Sequence, residues 1–267
     1  LPPGFLTRIP GRRWISAAVT AALAVACGRR PSGGFTMVRR FPHDTSAYTQ
    51  GLVYANGTLF ESTGLYGHSQ VRRVDLATGR VLASVALPAD HFGEGLALLH
   101  GRLYQLTWKE QVGYVYDAST LARVDSFTYR GQGWGLTTDG SSLIMSDGSA
   151  TLRFLDPGSF EVRREITVRD GDSPLLWINE LEFARGELFA NIYTSNWIVR
   201  IDPATGQVRE WLNLSGLLPR RERTPTTDVL NGIAYDDATG DLLVTGKRWP
   251  ALFELHLQRP PGDWPPR

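Results

Sequence analysis

One carboxylate, one amine and three amides stand at matched places along this chain, and together they could shuttle a proton within a small polar ligand. Gln50, Glu94, Trp134, Asn179 and Asn231 each precede Gly or Glu and then Leu or Ile, at intervals of 40 to 52 residues. Thirteen or fourteen residues after an opening position come Trp108, Asp147 and Tyr193, and Lys247 holds a similar place in Thr245-Gly246-Lys247-Arg248-Trp249-Pro250. A carboxyl walled by aromatic rings is desolvated and its pKa rises, which suits a group that takes a proton and gives it back. An ammonium nearby could steady charge developing on an oxygen. Polar side chains around a water-filled channel are the competing account of the same ring.

These residues converge only if each repeat brings the same point of its unit to one place. Within each unit the grammar is constant. The first runs GLVYA, a turn at Asn56-Gly57, TLFEST, QVRRVDL, another turn and VLASVAL. The fourth runs ELEFA, Arg185-Gly186, ELFANIY, WIVRIDP, Ala-Thr-Gly and QVREWLNL. Alternating apolar residues, Asn-Gly and Thr-Gly turns, and the lack of any long 3.6-residue period argue four antiparallel strands per unit. Units of this length with four strands are propeller blades. Five fill residues 35–257, so the expected fold is an all-β, five-bladed β-propeller in one domain. A β-sandwich has similar turn spacing but does not repeat its sequence. The fifth unit offers only GIAYD, DLLVTG and ALFELHL before a Pro-rich tail at 258–267. Its fourth strand is therefore expected to be the N-terminal Thr36–Phe41, which closes the ring and removes open edges. In such a wheel the first strand of each blade lies nearest the axis, so the opening residues ring one mouth of the channel.

Composition narrows the function classes. Lys+Arg 28 against Asp+Glu 27 gives a net charge of +1, which provides no field to attract nucleic acid or anionic membrane. One cysteine, Cys27, excludes a disulfide framework, and His43, His68, His91, His100 and His256 lack metal-ligand spacing. No metal or other cofactor is expected, nor a nucleophile triad. Arg8, Arg12 and Arg13 precede an apolar run from Trp14 to Ala26, the length of a signal-peptide core and too short to span a bilayer. Leu23-Ala24-Val25-Ala26-Cys27 resembles a bacterial lipoprotein cleavage site, with Ala24 where such signals favour a larger aliphatic residue. Residues 1–26 are thus expected to be a signal peptide, Cys27 the lipidated residue and 27–34 a flexible tether. An exported monomer of the periplasm or cell envelope, touching membrane only through that anchor, is the expectation. Arg220-Arg221-Glu222-Arg223 falls in a connection from Ser215 to Asp228 that is expected to be solvated.

Seven motifs in order carry a family resemblance: Tyr48-Thr49-Gln50-Gly51-Leu52, Phe92-Gly93-Glu94-Gly95-Leu96, Leu106-Thr107-Trp108-Lys109, Gly133-Trp134-Gly135-Leu136, Ile178-Asn179-Glu180-Leu181-Glu182, Leu230-Asn231-Gly232-Ile233-Ala234 and the segment from Thr245 to Pro250. From about Phe41 to Phe253 the chain resembles the plant-type glutaminyl-peptide cyclotransferases of papaya and many bacteria. The resemblance implies a five-bladed propeller enzyme that converts the N-terminal glutamine of peptides and proteins to pyroglutamate with loss of ammonia. It implies Glu94 as general acid and base, and Lys247 with Asn179 holding the reacting amide. Gln50 would contact the substrate, Phe92, Trp108 and Trp134 would wall the pocket, and Tyr48, Tyr193 and Asn231 would complete the binding residues. Tyr48 stands where many members have Phe, and Tyr193 where they commonly have Trp. Some plant members hold a metal ion in the channel, but no ligand cluster here requires one. Two rivals remain at this level: a propeller lactonase or lyase, which typically binds a metal through carboxylates and histidines, and a non-enzymatic propeller that binds peptide or glycan.

Overall fold

The computed structural model describes residues 32–262, so the leader, Cys27 and residues 263–267 lie outside the described part. Five sheets follow one another along the chain; in the first four the four blade strands form an antiparallel meander whose order in space is their order in sequence, and the fifth takes its outer strand from the start of the described chain. Blade one comprises Thr49–Ala55, Thr58–Thr63, Gln70–Val74 and Val81–Ala86. Blade two comprises Gly93–Leu99, Arg102–Thr107, Val112–Asp117 and Arg123–Thr128. The inner half of blade three is short, Leu136–Thr138 and Leu143–Met145, before Thr151–Leu155 and Val162–Thr167. Blade four holds Ile178–Ala184, Glu187–Ile192, Trp197–Ile201 and Val208–Asn213. Blade five is completed as expected: Leu230–Asp236, Asp241–Gly246 and Ala251–Leu257 are followed in space by Phe35–Pro42, antiparallel to Ala251–Leu257.

The first strands of neighbouring blades lie against one another all the way round, five against one, one against two, two against three, three against four and four against five. That closed ring is the hub. The apolar core is correspondingly divided into five clusters, each sandwiched between two adjacent blades. Alternation in each strand is the cause, because successive side chains face opposite neighbours and both faces of an inner strand are covered.

Two chain segments differ from the sequence expectation. Ser32 and Gly33, assigned to a flexible tether, pair in parallel with Trp211 and Leu212 on the outer edge of blade four. The Pro-rich tail also starts as part of the body. The Gln258 N–H donates to Gly34 O, and the carbonyls of Arg259 and Pro260 accept from Arg200. Arg200 is fully buried between Glu187 and Glu210, at 2.7 and 2.8 Å, so the tail supplies acceptors that its guanidinium could not find in water. The connection from Ser215 to Asp228 contains a single 3-10 turn, Arg220–Glu222, and its Leu218 packs into the core between blades four and five. Glu222 pairs with Arg40, so this segment is anchored as well as solvated.

Candidate active site

Four opening residues sit at the start of an inner strand, Trp134 stands two residues before one, and in those four blades the pairing is irregular. Register shifts fall between Thr49 and Gly51, Gly93 and Leu96, Ile178 and Leu181, and Leu230 and Ile233. A bulge adds a residue to one strand and re-aims its side chain. Here the re-aimed residues are Gln50, Glu94, Asn179 and Asn231, which would otherwise lie flat between two blades. The glycines that follow them answer a second demand. A Cβ at Gly95 would lie 2.7 Å from Trp134 O, and one at Gly135 would lie 2.9 Å from Glu180 Cα, so the inner strands can approach this closely only without side chains. Blade four breaks the pattern with Glu180, whose carboxylate crosses the hub and accepts the backbone N–H of Leu52 and of Ile233 at 3.2 and 2.8 Å. Burial pushes the pKa of Glu180 well up, and pushes that of its neighbour Glu182 to about 8.

At one mouth of the hub is a cavity of about 300 Å3. Glu94 and Lys247 both line it, together with Gln50 and Asn179. Only 5% of Glu94 and 3% of Lys247 is exposed, so both charges are desolvated. Burial raises the Glu94 carboxyl well above its ordinary value, opposed by the charge of Lys247. Burial likewise lowers the Lys247 ammonium, opposed by Glu94 and Asp228. The two groups thus influence each other across the cavity without a direct ion pair among the described residues. Lys247 Nζ lies 4.8 Å from the centroid of Tyr48 and 5.3 Å from that of Tyr193, held by ring faces. Its three donors are therefore available to a ligand. Glu94 Oε1 accepts from Gln50 Nε2 at 3.1 Å, and Ser62 Oγ holds the Glu94 backbone carbonyl.

Aromatic rings form the wall. Phe92 packs edge-on to Tyr48 and Trp108, with centroids 6.2 and 5.7 Å apart. Trp134 meets Tyr193 edge-on at 5.4 Å. Tyr193 thus packs in the wall at the position where the sequence resemblance implies an indole. The Tyr48 hydroxyl, absent from a Phe, donates to Asp228 at 3.0 Å and so ties the pocket to the connection before blade five.

Three residues at the mouth carry no signal of their own in the repeat. Trp177 lines the cavity beside Trp134 and Tyr193, yet it is 55% exposed and has φ 68°, left-handed backbone that a bulky residue rarely adopts. The one hint of it is an apolar run, Leu175-Leu176-Trp177, just before an inner strand. Gln132 Oε1 accepts from the indoles of both Trp108 and Trp134, at 2.8 and 3.1 Å, and fixes their spacing. Asp228 is the third.

Asn231 departs from its expected role. It is fully buried and does not line the cavity, because Thr49 O, Gln50 and Asn179 already occupy its amide. Asp147 is also turned away, paired with Arg153 at 2.8 Å and with Ser149. Lys109 is exposed, its Nζ 3.6 Å from the Trp108 centroid on the outer side. Among the described residues no three His, Cys, Asp or Glu side chains stand close enough together to hold a metal ion.

Fold and pocket define a class: a five-bladed propeller whose hub opens at one mouth into an aromatic-walled cavity with one acid and one amine. Residues 14–257 match the family model described as glutamine cyclotransferase. A glutaminyl-peptide cyclotransferase of Arabidopsis thaliana is 45% identical over 229 residues, 84% of this chain and 71% of its own length. The crystal structure of Myxococcus xanthus glutaminyl cyclase is similar at a TM-score of 0.79 and 37% identity, covering 86% of this chain and 98% of that one. The chain belongs to the glutamine cyclotransferase family.

Proposed function

We propose that this chain is a glutaminyl-peptide cyclotransferase in which Glu94 shuttles the proton and Lys247 steadies the γ-carbonyl oxygen. The observation that carries these roles is the pairing of a desolvated acid and a desolvated amine in one cavity, both without a direct partner charge among the described residues. The α-amine of an N-terminal glutamine has an ordinary pKa of about 7.7–8.0, so a useful fraction is neutral near pH 7. Its nitrogen attacks the γ-carbonyl carbon of the same residue, and a five-membered ring forms. The proton shed by that nitrogen passes to Glu94 and then to the γ-amide nitrogen, whose bond to carbon breaks as ammonia leaves. Lys247 donates to the γ-oxygen while it carries negative charge. No enzyme nucleophile takes part, because holding the reacting rotamer within the aromatic wall makes the attack intramolecular and oriented.

Acid and ammonium together supply proton transfer and charge stabilisation, so turnover is expected to persist in chelator. The test is ammonia release from a Gln-initiated peptide with chelator present, beside an N-acetylated copy and an Asn-initiated copy. Release from the first alone is expected, since the acetylated nitrogen cannot attack and Asn would have to close a four-membered ring. Binding without release would instead favour a non-enzymatic propeller, and release abolished by chelator a metal-dependent one. Export and lipid attachment at Cys27 belong to the same proposal and rest on the Arg-rich, apolar leader. Substitution of Cys27 by Ser should release the protein from the membrane fraction.

A further inference from the structure

Four of the five hub residues are joined in a single chain of side-chain hydrogen bonds whose direction can be deduced. Thr49 O is a backbone carbonyl and can only accept, so the group 2.9 Å from it on Asn231 is the amide nitrogen. That fixes Asn231 Oδ1 toward Asn179, whose Nδ2 donates to it at 2.9 Å. The second hydrogen of Asn231 Nδ2 goes to Gln50 Oε1 at 3.3 Å, which leaves Gln50 Nε2 to donate to Glu94 Oε1 at 3.1 Å. Donation therefore runs from blade four through five and one to two, and every amide orientation follows from one backbone carbonyl.

We propose that Asn231 is the positioning residue that sets the polarity of the pocket, making Asn179 present an acceptor and Gln50 a donor. The proposal rests on the glutamine reading of the cavity. Its consequence is chemical. With one Nδ2 hydrogen spent on Asn231, Asn179 keeps its oxygen and its second Nδ2 hydrogen, and Glu94 keeps Oε2 free of protein donors among the described residues. An α-amine, rich in N–H, finds two acceptors, while the γ-carbonyl finds the donor Lys247. If Asn231 were lost, the two outer amides could turn over. Asn179 would then present N–H to the amine, and Gln50 would present oxygen to a carboxylate.

Two substitutions and one measurement on the unaltered protein test this. Asn231→Leu keeps much of the volume and removes every hydrogen bond, and kcat/KM should fall at least tenfold in a folded protein. Asn231→Asp should rescue at low pH, because a protonated carboxyl can still donate to Thr49 O and accept from Asn179. Once ionised it has only acceptors. The ratio of variant to wild-type kcat/KM should therefore fall with rising pH as one proton is lost, and taking the ratio cancels the substrate amine's own titration. A purely structural role predicts lower melting temperatures with a ratio that stays flat with pH at temperatures where both proteins are folded. Should the variants not fold, nitrogen-15 NMR of the wild type still decides. The side-chain amide protons of Asn179 and Asn231 should exchange slowly with solvent. A folded leucine variant within threefold of wild type, a flat ratio or fast amide exchange would overturn the proposal. Failure of the wild type to release ammonia would sink the functional reading instead, and the exchange result would still stand for the amide chain.

Discussion

Replacing Glu94 with Gln should cost the protein its activity and make it more stable, and the two effects have separate physical causes. Gln has almost the same shape and can offer its Oε1 to Gln50 Nε2, so the contact at 3.1 Å survives. What disappears is the proton shuttle, worth about 10²–10⁴-fold, or about 3–5 kcal/mol of barrier. The stability effect follows from burial, which raises the folded-state pKa of Glu94 well above its ordinary value. Below the ordinary value, about 4.3, folded and unfolded chains are both protonated and this group adds no pH dependence. Between that value and the raised one, the unfolded chain loses a proton that the folded chain keeps. Wild-type stability then falls by up to about 1.4 kcal/mol per pH unit. The Gln variant has no such slope, so its melting temperature should exceed wild type by about 3–5 °C more for each unit of that window. Lys247, deprived of one attracting charge, keeps Asp228 and trims the gain. Ammonia release and thermal melts from pH 4.5 to 8 read both effects. Turnover within threefold of wild type would refute the shuttle, and melting curves that stay parallel across pH would refute the raised pKa.

Other perturbations separate the remaining parts of the argument. Lys247→Met keeps the stem of the side chain and removes its charge. Steady-state kinetics should show kcat/KM falling about 10²–10³-fold, with the Glu94 limb of the pH profile moved upward because the cation that opposes its rise is gone. Gly135→Ala would drive a Cβ into Glu180 Cα and the Asn179 carbonyl, forcing blades three and four apart; a urea midpoint should report about 1–3 kcal/mol lost. His43 is buried against Glu61 and Trp249 O, at 3.0 and 2.8 Å, and although burial opposes its charge these two partners hold its pKa above the ordinary value. The stability it contributes is full below about pH 6.5 and is lost as pH rises through the higher folded-state value. His43→Gln should therefore lie furthest below wild type near pH 6 and draw closer to it as pH rises above the ordinary imidazole value in urea melts.

The wheel was legible because it is written five times. The opening dipeptides, the Asn-Gly turns and the lone unpaired strand at Thr36–Phe41 gave blade number and closure, and all of that depends on local periodicity. Glu94 and Lys247 were legible as equivalents within that repeat. What stayed hidden was non-local. Asn231 looked like one more member of the ring, and nothing nearby in sequence shows that its amide is consumed by partners 52, 181 and 182 residues away. The bulges that aim the ring inward have no residue signature beyond the glycines. Gln132 and Asp228 act through side-chain contacts that no period predicts, and Trp177 stands outside the repeat altogether. Ser32 and Gly33 looked like linker because two-residue edge pairing leaves no pattern to find.

The one blade missing from the hydrogen-bond chain explains where a ligand must sit. Four hub residues satisfy each other from blade four round to blade two, but blade three contributes Trp134, which has no group to close the ring between Glu94 and Asn179. Its single N–H is already spent on Gln132. Closure by a fifth amide would have taken up these acceptors and left Lys247 alone to meet a ligand. An indole there instead leaves the chain open at both ends, and each end keeps an acceptor: Glu94 Oε2, and the Asn179 side-chain oxygen beside the second hydrogen of its Nδ2. Two buried acceptors beside an aromatic face call for a compact group with several N–H bonds and no net negative charge. A free α-amine meets that description. The α-nitrogen of an internal glutamine has a single N–H with chain on both sides, and so cannot serve both acceptors. On the proposed reading, selectivity for chain termini is expected to draw on this gap in the ring, and an N-acetylated glutamine peptide should bind more weakly than the free one.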